Sequence, residues 1–385
     1  MKPKLIRITT IPQSLRSLLK GQLRFMSENG FEVIGVSGSG EALKEVQNNE
    51  GVQTVAIEMT RTISPFKDLK ALVQLIQLFK KEKPEIVHTH TPKAGLLGMM
   101  AAKIAGVPHR LHTVAGMPLL EVMGAKRQLL NQMEKLTYAC ATKVYPNSYG
   151  LEKIILEEKF TSPKKLKVIG KGSSNGIDTS YFNLDLISIE TKKQLREELN
   201  IAENDFVFVF VGRLVGDKGI NELVQAFKQI RNPQLIKLLL VGPLESELDP
   251  LKKETLQEIE ANRNIISVGF QKDVRPYFAI SDSLVFPSYR EGFPNVVMQA
   301  GAMGLPSIVS DINGCNEIII EEQNGIIVPV KDFRVLKENM EELIENKSLV
   351  NELSLNARKL IESRYEQKIV WNEILKEYES LMNKL

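Results

Sequence analysis

Apolar residues along this chain gather into short unbroken runs, and between the runs they recur every three or four positions. The runs predict strands and the recurrence predicts amphipathic helices, so the chain reads as parallel sheets wound in βαβ units. Residues 5–9, 31–37, 54–57, 86–90, 110–114 and 143–147 are expected strands of a first sheet. A second sheet is expected from 206–212, 236–241, 265–268, 283–287 and 307–310, with 325–328 as a sixth strand. Between the two lies Gly170-Lys171-Gly172-Ser173-Ser174-Asn175-Gly176-Ile177-Asp178, a turn-rich stretch suited to a hinge. Helical spacing is clearest over 68–81, where Leu69, Leu72, Val73, Leu75, Ile76 and Leu78 recur and Pro84 ends the region. It is clear again near the end, where Trp371, Ile374, Leu375, Tyr378 and Leu381 share one face. No tandem repeat of solenoid length is present.

Open parallel sheets bind ligands where loops leave the carboxyl ends of strands, so the residues after each run carry the chemistry. The segment from Arg290 to Pro306 is the most informative. It places Asn295 and Gln299 one helical turn apart, with Glu291 just ahead, while Val296, Val297, Ala300 and Met303 are free to pack on a sheet. Amides at such a helix start suit a diphosphate, and the polar row suits hydroxyls. After 206–211 come Gly212, Arg213, Gly216, Lys218 and Gly219, a loop whose two cations can neutralise a diphosphate leaving group. After 86–90 come Thr91-Pro92-Lys93-Ala94-Gly95; His90, Thr91 and Lys93 are expected to face the ligand edge and His88 to point elsewhere. The run Gly38-Ser39-Gly40-Glu41 fails the dinucleotide fingerprint, because Leu43 occupies the place of the third glycine.

With 385 residues the chain exceeds one ordinary core, and 43% hydrophobic with 25% charged residues describes a globular protein of two domains. Cys140 and Cys315 have no metal-type spacing and read as buried free thiols. No apolar run approaches membrane-spanning length and the start lacks a signal core, so the cytoplasm is the expected location. The net charge of +3 hides an asymmetry. Residues 1–175 hold 26 Lys and Arg against 14 Asp and Glu (+12), and the remainder 24 against 33 (−9). The basic half suits a membrane surface or a phosphorylated substrate, and a merely solvated lysine-rich surface stays open; nucleic acid fits poorly, since the lysines are scattered and no aromatic residues interleave with them.

Taken together, these features resemble the retaining glycosyltransferases of the family-4 kind. The carriers are Gly212-Arg213-Leu214 with Lys218-Gly219, Asn175-Gly176-Ile177-Asp178, Pro287-Ser288 ahead of Glu291-Gly292-Phe293-Pro294, and Asp311-Ile312-Asn313-Gly314 followed by Glu317. In the first half, 87–95 and Thr113-Val114-Ala115-Gly116 look like the branch that works on bacterial surface-glycan precursors. The resemblance implies the GT-B fold, an α/β architecture of two facing Rossmann-like domains with parallel sheets flanked by helices. Residues 1–170 would bind the acceptor and 171–366 the nucleotide-sugar donor, while a last helix, 367–385, packs back on the first domain.

Carried over residue by residue, the resemblance makes Arg213 and Lys218 the diphosphate ligands beside Gly212. It sets Glu291, with Gly292, Phe293 and Pro294, against the transferred sugar, and Asn295 and Val296 as donors of phosphate-binding amides. Two departures stand out. The second glutamate that grips the ribose in relatives is here Gln299, which offers one acceptor oxygen and a donor amide. Where relatives carry His or Arg before the glycine, this chain has Ala115, which leaves His90 and His112 as candidate catalytic histidines, His112 being open to a strand-packed reading as well.

The implied reaction retains anomeric configuration and needs neither a metal nor another cofactor. No pair of carboxylates suggests a glycosidase. A UDP-sugar is the favoured donor and a lipid-linked glycan the favoured acceptor, with capsule or O-antigen assembly as the setting. Lys2, Lys4, Arg16, Lys20 and Arg24, together with the apolar stretch 117–124, Lys126 and Arg127, are expected to meet an anionic inner membrane surface, making the protein peripheral there. The packed-loop reading of 117–124 stays open. Two other functions stay open as well: a sugar-nucleotide epimerase of the same architecture, and a non-catalytic nucleotide-sugar-binding protein.

Overall fold

A computed structural model describes residues 2–60, 62–117, 119, 122–231, 233–245, 247 and 249–383. Its first sheet holds β1 (Lys4–Ile8), β2 (Glu32–Ser37), β3 (Gln53–Ala56), β4 (Ile86–Thr89), β5 (His109–Val114) and β6 (Lys143–Pro146). The second holds β7 (Phe206–Val211), β8 (Ile236–Val241), β9 (Ile265–Gly269), β10 (Ser283–Phe286), β11 (Ser307–Ser310) and β12 (Gly325–Val328). Every strand lies within a residue of its expected place. All pairings are parallel, in the orders β3-β2-β1-β4-β5-β6 and β12-β11-β10-β7-β8-β9. Chain direction across each sheet reverses once, between β1 and β4 and between β7 and β10. Those are the two crevices in which a doubly wound sheet receives ligands.

The chain divides into two compact units, Met1–Gly176 with Lys368–Leu385, and Ile177–Gln367. The first unit runs past residue 170 because the turn after it is tied down within that unit. Ser173 N–H donates to Asn147 O at 2.7 Å, and Asn175 Oδ1 accepts from Gln22 Nε2 at 2.8 Å and from Trp371 Nε1 at 2.7 Å.

Alternation along β1 shows how the first unit is layered. Ile6 and Ile8 enter one core with Val87, Ala94 and Met99, whereas Leu5 enters another with Ile86, Leu111, Ile374 and Tyr378. The last helix, Gln367–Met382, thus completes the second of these cores. The helix expected at 68–81 spans Pro65–Glu82, with proline in its first turn and Lys83 in the left-handed conformation at its end. In the second unit one continuous core embraces both faces of the sheet. Both cysteines are buried and free.

The expected membrane-facing groups divide: Lys2, Lys20, Arg24 and Lys126 are exposed, and others are buried or paired. Met117 and Leu119 are buried in the core, and Arg127 donates to Leu119 O at 2.9 Å and to Glu158 at 2.7 Å, so these two residues pack inside the unit, whereas Met123 is exposed; Pro118, Leu120 and Glu121 lie outside the described residues. Lys4 is paired with Glu82 at 2.8 Å and Arg16 with Glu45 at 2.5 Å, which neutralises part of the expected basic group.

Candidate active site

The crevice between β7 and β10 is built by three loops. The loop after β7 leaves through Gly212, Leu214 N–H donates to Pro243 O at 2.8 Å, and Leu214 and Val215 are buried; this fixes the backbone on either side of Arg213. The Arg213 guanidinium stands out, 44% exposed, and reaches Glu245 Oε2 at 2.9 Å. Further on, Gly219 takes φ +72°, and a Cβ there would lie 2.1 Å from Pro287 O, so only glycine lets the two loops touch. That approach brings Lys218 Nζ onto Glu291 Oε1 as an ion pair, with both side chains mostly shielded. Ser288 Oγ also donates to Glu291 Oε1, at 3.2 Å. The backbone of Tyr289 donates to Asp217 O at 2.8 Å, and Arg290 pairs with Asp217 at 2.5 Å.

The loop after β11 supports the Glu291 loop from beneath. Asn313 Nδ2 donates to the carbonyls of Glu291 and, at 3.3 Å, Gly292. Gly314, at φ +79°, leaves no room for a Cβ, which would sit 2.7 Å from Gly292 O and 2.9 Å from Phe293 Cα. Phe293 and Pro294 turn inward, with the Phe293 ring edge-on to Tyr365 at 5.3 Å. Their side chains therefore belong to the core, leaving only backbone to a ligand. The helix Asn295–Ala302 follows, and Pro294 gives it no side-chain cap. Asn295 is exposed and Gln299 half-buried, while Val297, Met298 and Ala300 are buried and Val296 packs partly against the core. Burial, followed by the neighbouring Glu291 carboxylate, pushes the Cys315 thiol well up, leaving it protonated.

In the first unit, residues two apart on a strand share a face, so His88 joins His90 and does not point away from it; their rings lie 4.3 Å apart. Buried Arg7 donates from Nε to His90 Nε2 at 2.9 Å, which puts the proton of neutral His90 on Nδ1. His88 bridges Tyr378 OH at 2.6 Å and Thr113 Oγ1 at 2.7 Å. Burial and then the Arg7 charge hold both rings far below the usual histidine range, so both are neutral at pH 7. His112 is buried and packed within the first unit. Its Nδ1 meets Thr89 Oγ1 at 2.8 Å, its ring fills the space a Cβ of Gly95 would enter, and burial lowers it to about 4. Lys93 is buried against Asp68 at 2.5 Å, so its charge is spent within the fold. Thr91 Oγ1 accepts from Thr10 N–H at 2.9 Å, bridging the loops after β1 and β4.

Sequence reading missed Arg7, Asn313 and Gly314 as members of these sites. Arg7 had a usable signal, a cation at an inward position of an apolar strand. The other two stood inside a quoted motif without a role.

Comparison with known proteins shows the family and the fold. Family models described as glycosyl transferases group 1 and glycosyl transferase 4-like match residues 191–360 and 11–148. The capsular polysaccharide biosynthesis glycosyltransferase CapM of Staphylococcus aureus is 35% identical over 98% of this chain and 97% of its own. The UDP-Gal:α-D-GlcNAc-diphosphoundecaprenol α-1,3-galactosyltransferase of Escherichia coli is 32% identical over 79% of this chain and 77% of its own. Among solved structures, Anabaena HepE in complex with UDP and glucose superposes with a TM-score of 0.82 over 98% of this chain and all of that one, at 19% identity. These names lend the epimerase alternative no support. Two doubly wound sheets, family models in both units and a full-length relative lead to one conclusion: the chain belongs to the glycosyltransferases of the GT-B fold, of the group 1 and 4-like families.

Proposed function

We propose that this enzyme moves a sugar from a UDP-sugar to a glycan carried on a lipid diphosphate, with retention, at the inner face of the cytoplasmic membrane during surface polysaccharide assembly. The observation that carries the proposal is the Lys218–Glu291 ion pair in the crevice between β7 and β10, with Arg213 on the same loop as Lys218 and the helix Asn295–Ala302 starting four residues after Glu291. The resemblance to one relative named for UDP-Gal, and to two named for sugars on diphosphoundecaprenol, supports the choice of donor and acceptor.

In this reading Arg213, Lys218 and the amides of Asn295 and Val296 hold the diphosphate and take up the charge that develops on it. Glu291, positioned by Lys218 and Ser288, accepts hydrogen bonds from the transferred sugar, and Gln299 contacts the ribose. The bond from the anomeric carbon to the diphosphate oxygen breaks, with its electron pair going to that oxygen. The acceptor hydroxyl bonds to the same face of the sugar and its proton passes to the diphosphate. His90 is not the base: neutral, with Nε2 taken by Arg7, it serves as a hydrogen-bond donor in the acceptor half. Two cations and a helix start supply the neutralisation, so no metal enters.

Thermal unfolding with a panel of nucleoside diphosphates tests the donor site. UDP at a hundredfold excess over Kd should stabilise the protein by about 3 kcal/mol, more than GDP or ADP at the same concentration. Arg213→Ala or Lys218→Ala should abolish most of the gain. A panel in which no nucleoside diphosphate moves the midpoint sinks the assignment. Retention is read from the anomeric proton coupling of the product.

A further inference from the structure

The helix Pro65–Glu82 carries two apolar stripes, and the core uses only one. Ala71, Leu75 and Phe79 are buried. On the outer side Phe66 is 89% exposed, Leu69 60% and Val73 44%, at the spacing that lines up residues on one helical face, and Ile63 just before the helix is 54% exposed. A soluble surface scatters large apolar groups singly, so a row of them needs an explanation. Lys67 and Lys70 are exposed within the same turns, whereas the acidic residue among them, Asp68, is neutralised by Lys93. The local charge is therefore positive. Met123, 89% exposed, sits at the start of the helix Gly124–Cys140 close to exposed Lys126.

These two helices follow β3 and β5, and so begin at the carboxyl edge of the first sheet, the edge from which His90 follows β4. The helix Pro92–Ile104 packs between them. Large apolar side chains interleaved with lysines match one environment, the interfacial layer of an anionic bilayer, where rings and alkyl groups enter below the headgroups and ammonium groups meet phosphates. A second copy fits less well, since a self-complementary contact would bring Lys67 and Lys70 against their own counterparts. The excess of cations over residues 1–175 favours the same partner.

We propose that this rim is the membrane-docking face: Phe66, Leu69, Val73 and Met123 insert into the interface while Lys67 and Lys70 engage anionic headgroups. Among the described residues no helix is long and apolar enough to cross a membrane. The inference rests on the proposed lipid-linked acceptor for its purpose, since docking here turns the edge bearing His90 towards the lipid diphosphate.

Co-sedimentation of the full chain with vesicles tests it. Binding is expected to vesicles of equal parts phosphatidylglycerol and phosphatidylcholine, to weaken as salt is raised, and to be slight with phosphatidylcholine alone. Phe66→Ser combined with Leu69→Ser should lower the partition coefficient at least about tenfold, and Lys67→Glu or Lys70→Glu about fivefold or more each. All these side chains are exposed, so thermal midpoints and the response to UDP should stay as in the parent chain. Unchanged vesicle binding in the variants, or none in the parent chain, overturns the proposal. So does a concentration-dependent dimer that the Phe66 and Leu69 changes dissolve, which would make the face a contact between copies. Because the UDP response is measured in the same samples, loss of docking and failure of the donor-site reading are told apart.

Discussion

Gly314 shows how narrowly the Glu291 loop is fitted. Alanine there would meet Gly292 O at 2.7 Å in a left-handed backbone, so Gly314→Ala should destabilise the second unit by roughly 1–3 kcal/mol and weaken UDP binding with it, measurable by denaturant unfolding and calorimetric titration. In the first unit, the buried histidines set a pH dependence. Burial holds folded His112 at about 4, below the ordinary histidine value of about 6.5, so between these limits the unfolded chain binds more protons than the folded one. Stability is thus full above pH 6.5 and is lost as pH falls towards 4, by on the order of 3 kcal/mol for this one group. His88 and His90 are shifted in the same direction and add to the slope. Unfolding midpoints recorded across this window should fall on acidification; a flat profile would show that the rings are not held neutral.

At the scale of elements, the helix Asn295–Ala302 owes its proposed role to its uncapped start. Asn295 is its first residue and Pro294 before it is extended, so Asn295→Pro removes one amide at a position where proline is tolerated. UDP affinity should fall about tenfold with little change in Tm, whereas Asn295→Ala, which keeps the amide, should bind nearly as the parent does; equal effects of the two would assign the loss to the side chain. The strands were legible because parallel strands covered on both faces read as unbroken apolar runs, and each of the twelve runs expected to be a strand became one. The loops proposed to bind phosphate were legible because glycines and cations stand directly after those runs. Side-chain direction was less legible: His88 and His90 share a face by simple alternation, yet which neighbours they meet depends on Arg7 and Tyr378, far away in sequence.

For the whole molecule, the informative feature is that the chain's end belongs to its beginning. The helix Gln367–Met382 buries Val370, Ile374, Tyr378 and Leu381, and Trp371 reaches Asn175. Tyr378→Phe would leave His88 Nδ1 without its partner inside the core and should cost about 1–3 kcal/mol. Removing residues 368–385 would uncover a whole core face and should abolish cooperative unfolding of the first unit, as seen by circular dichroism; a truncated chain that unfolds as sharply as the parent would contradict this role.

By itself the sequence determined the two parallel sheets, the turn-rich stretch in which the two units divide and the cationic loop facing Glu291, because each is encoded by neighbours within a few residues: periodicity, glycine punctuation, a charge after a strand. Only the tertiary structure decided that His112 is packed, that Lys93 is neutralised, that Met117 and Leu119 are interior and that Phe66, Leu69 and Met123 are not. Burial and pairing are sums over contacts between residues distant along the chain, and no local pattern fixes which face of an amphipathic or wholly apolar segment finds a partner.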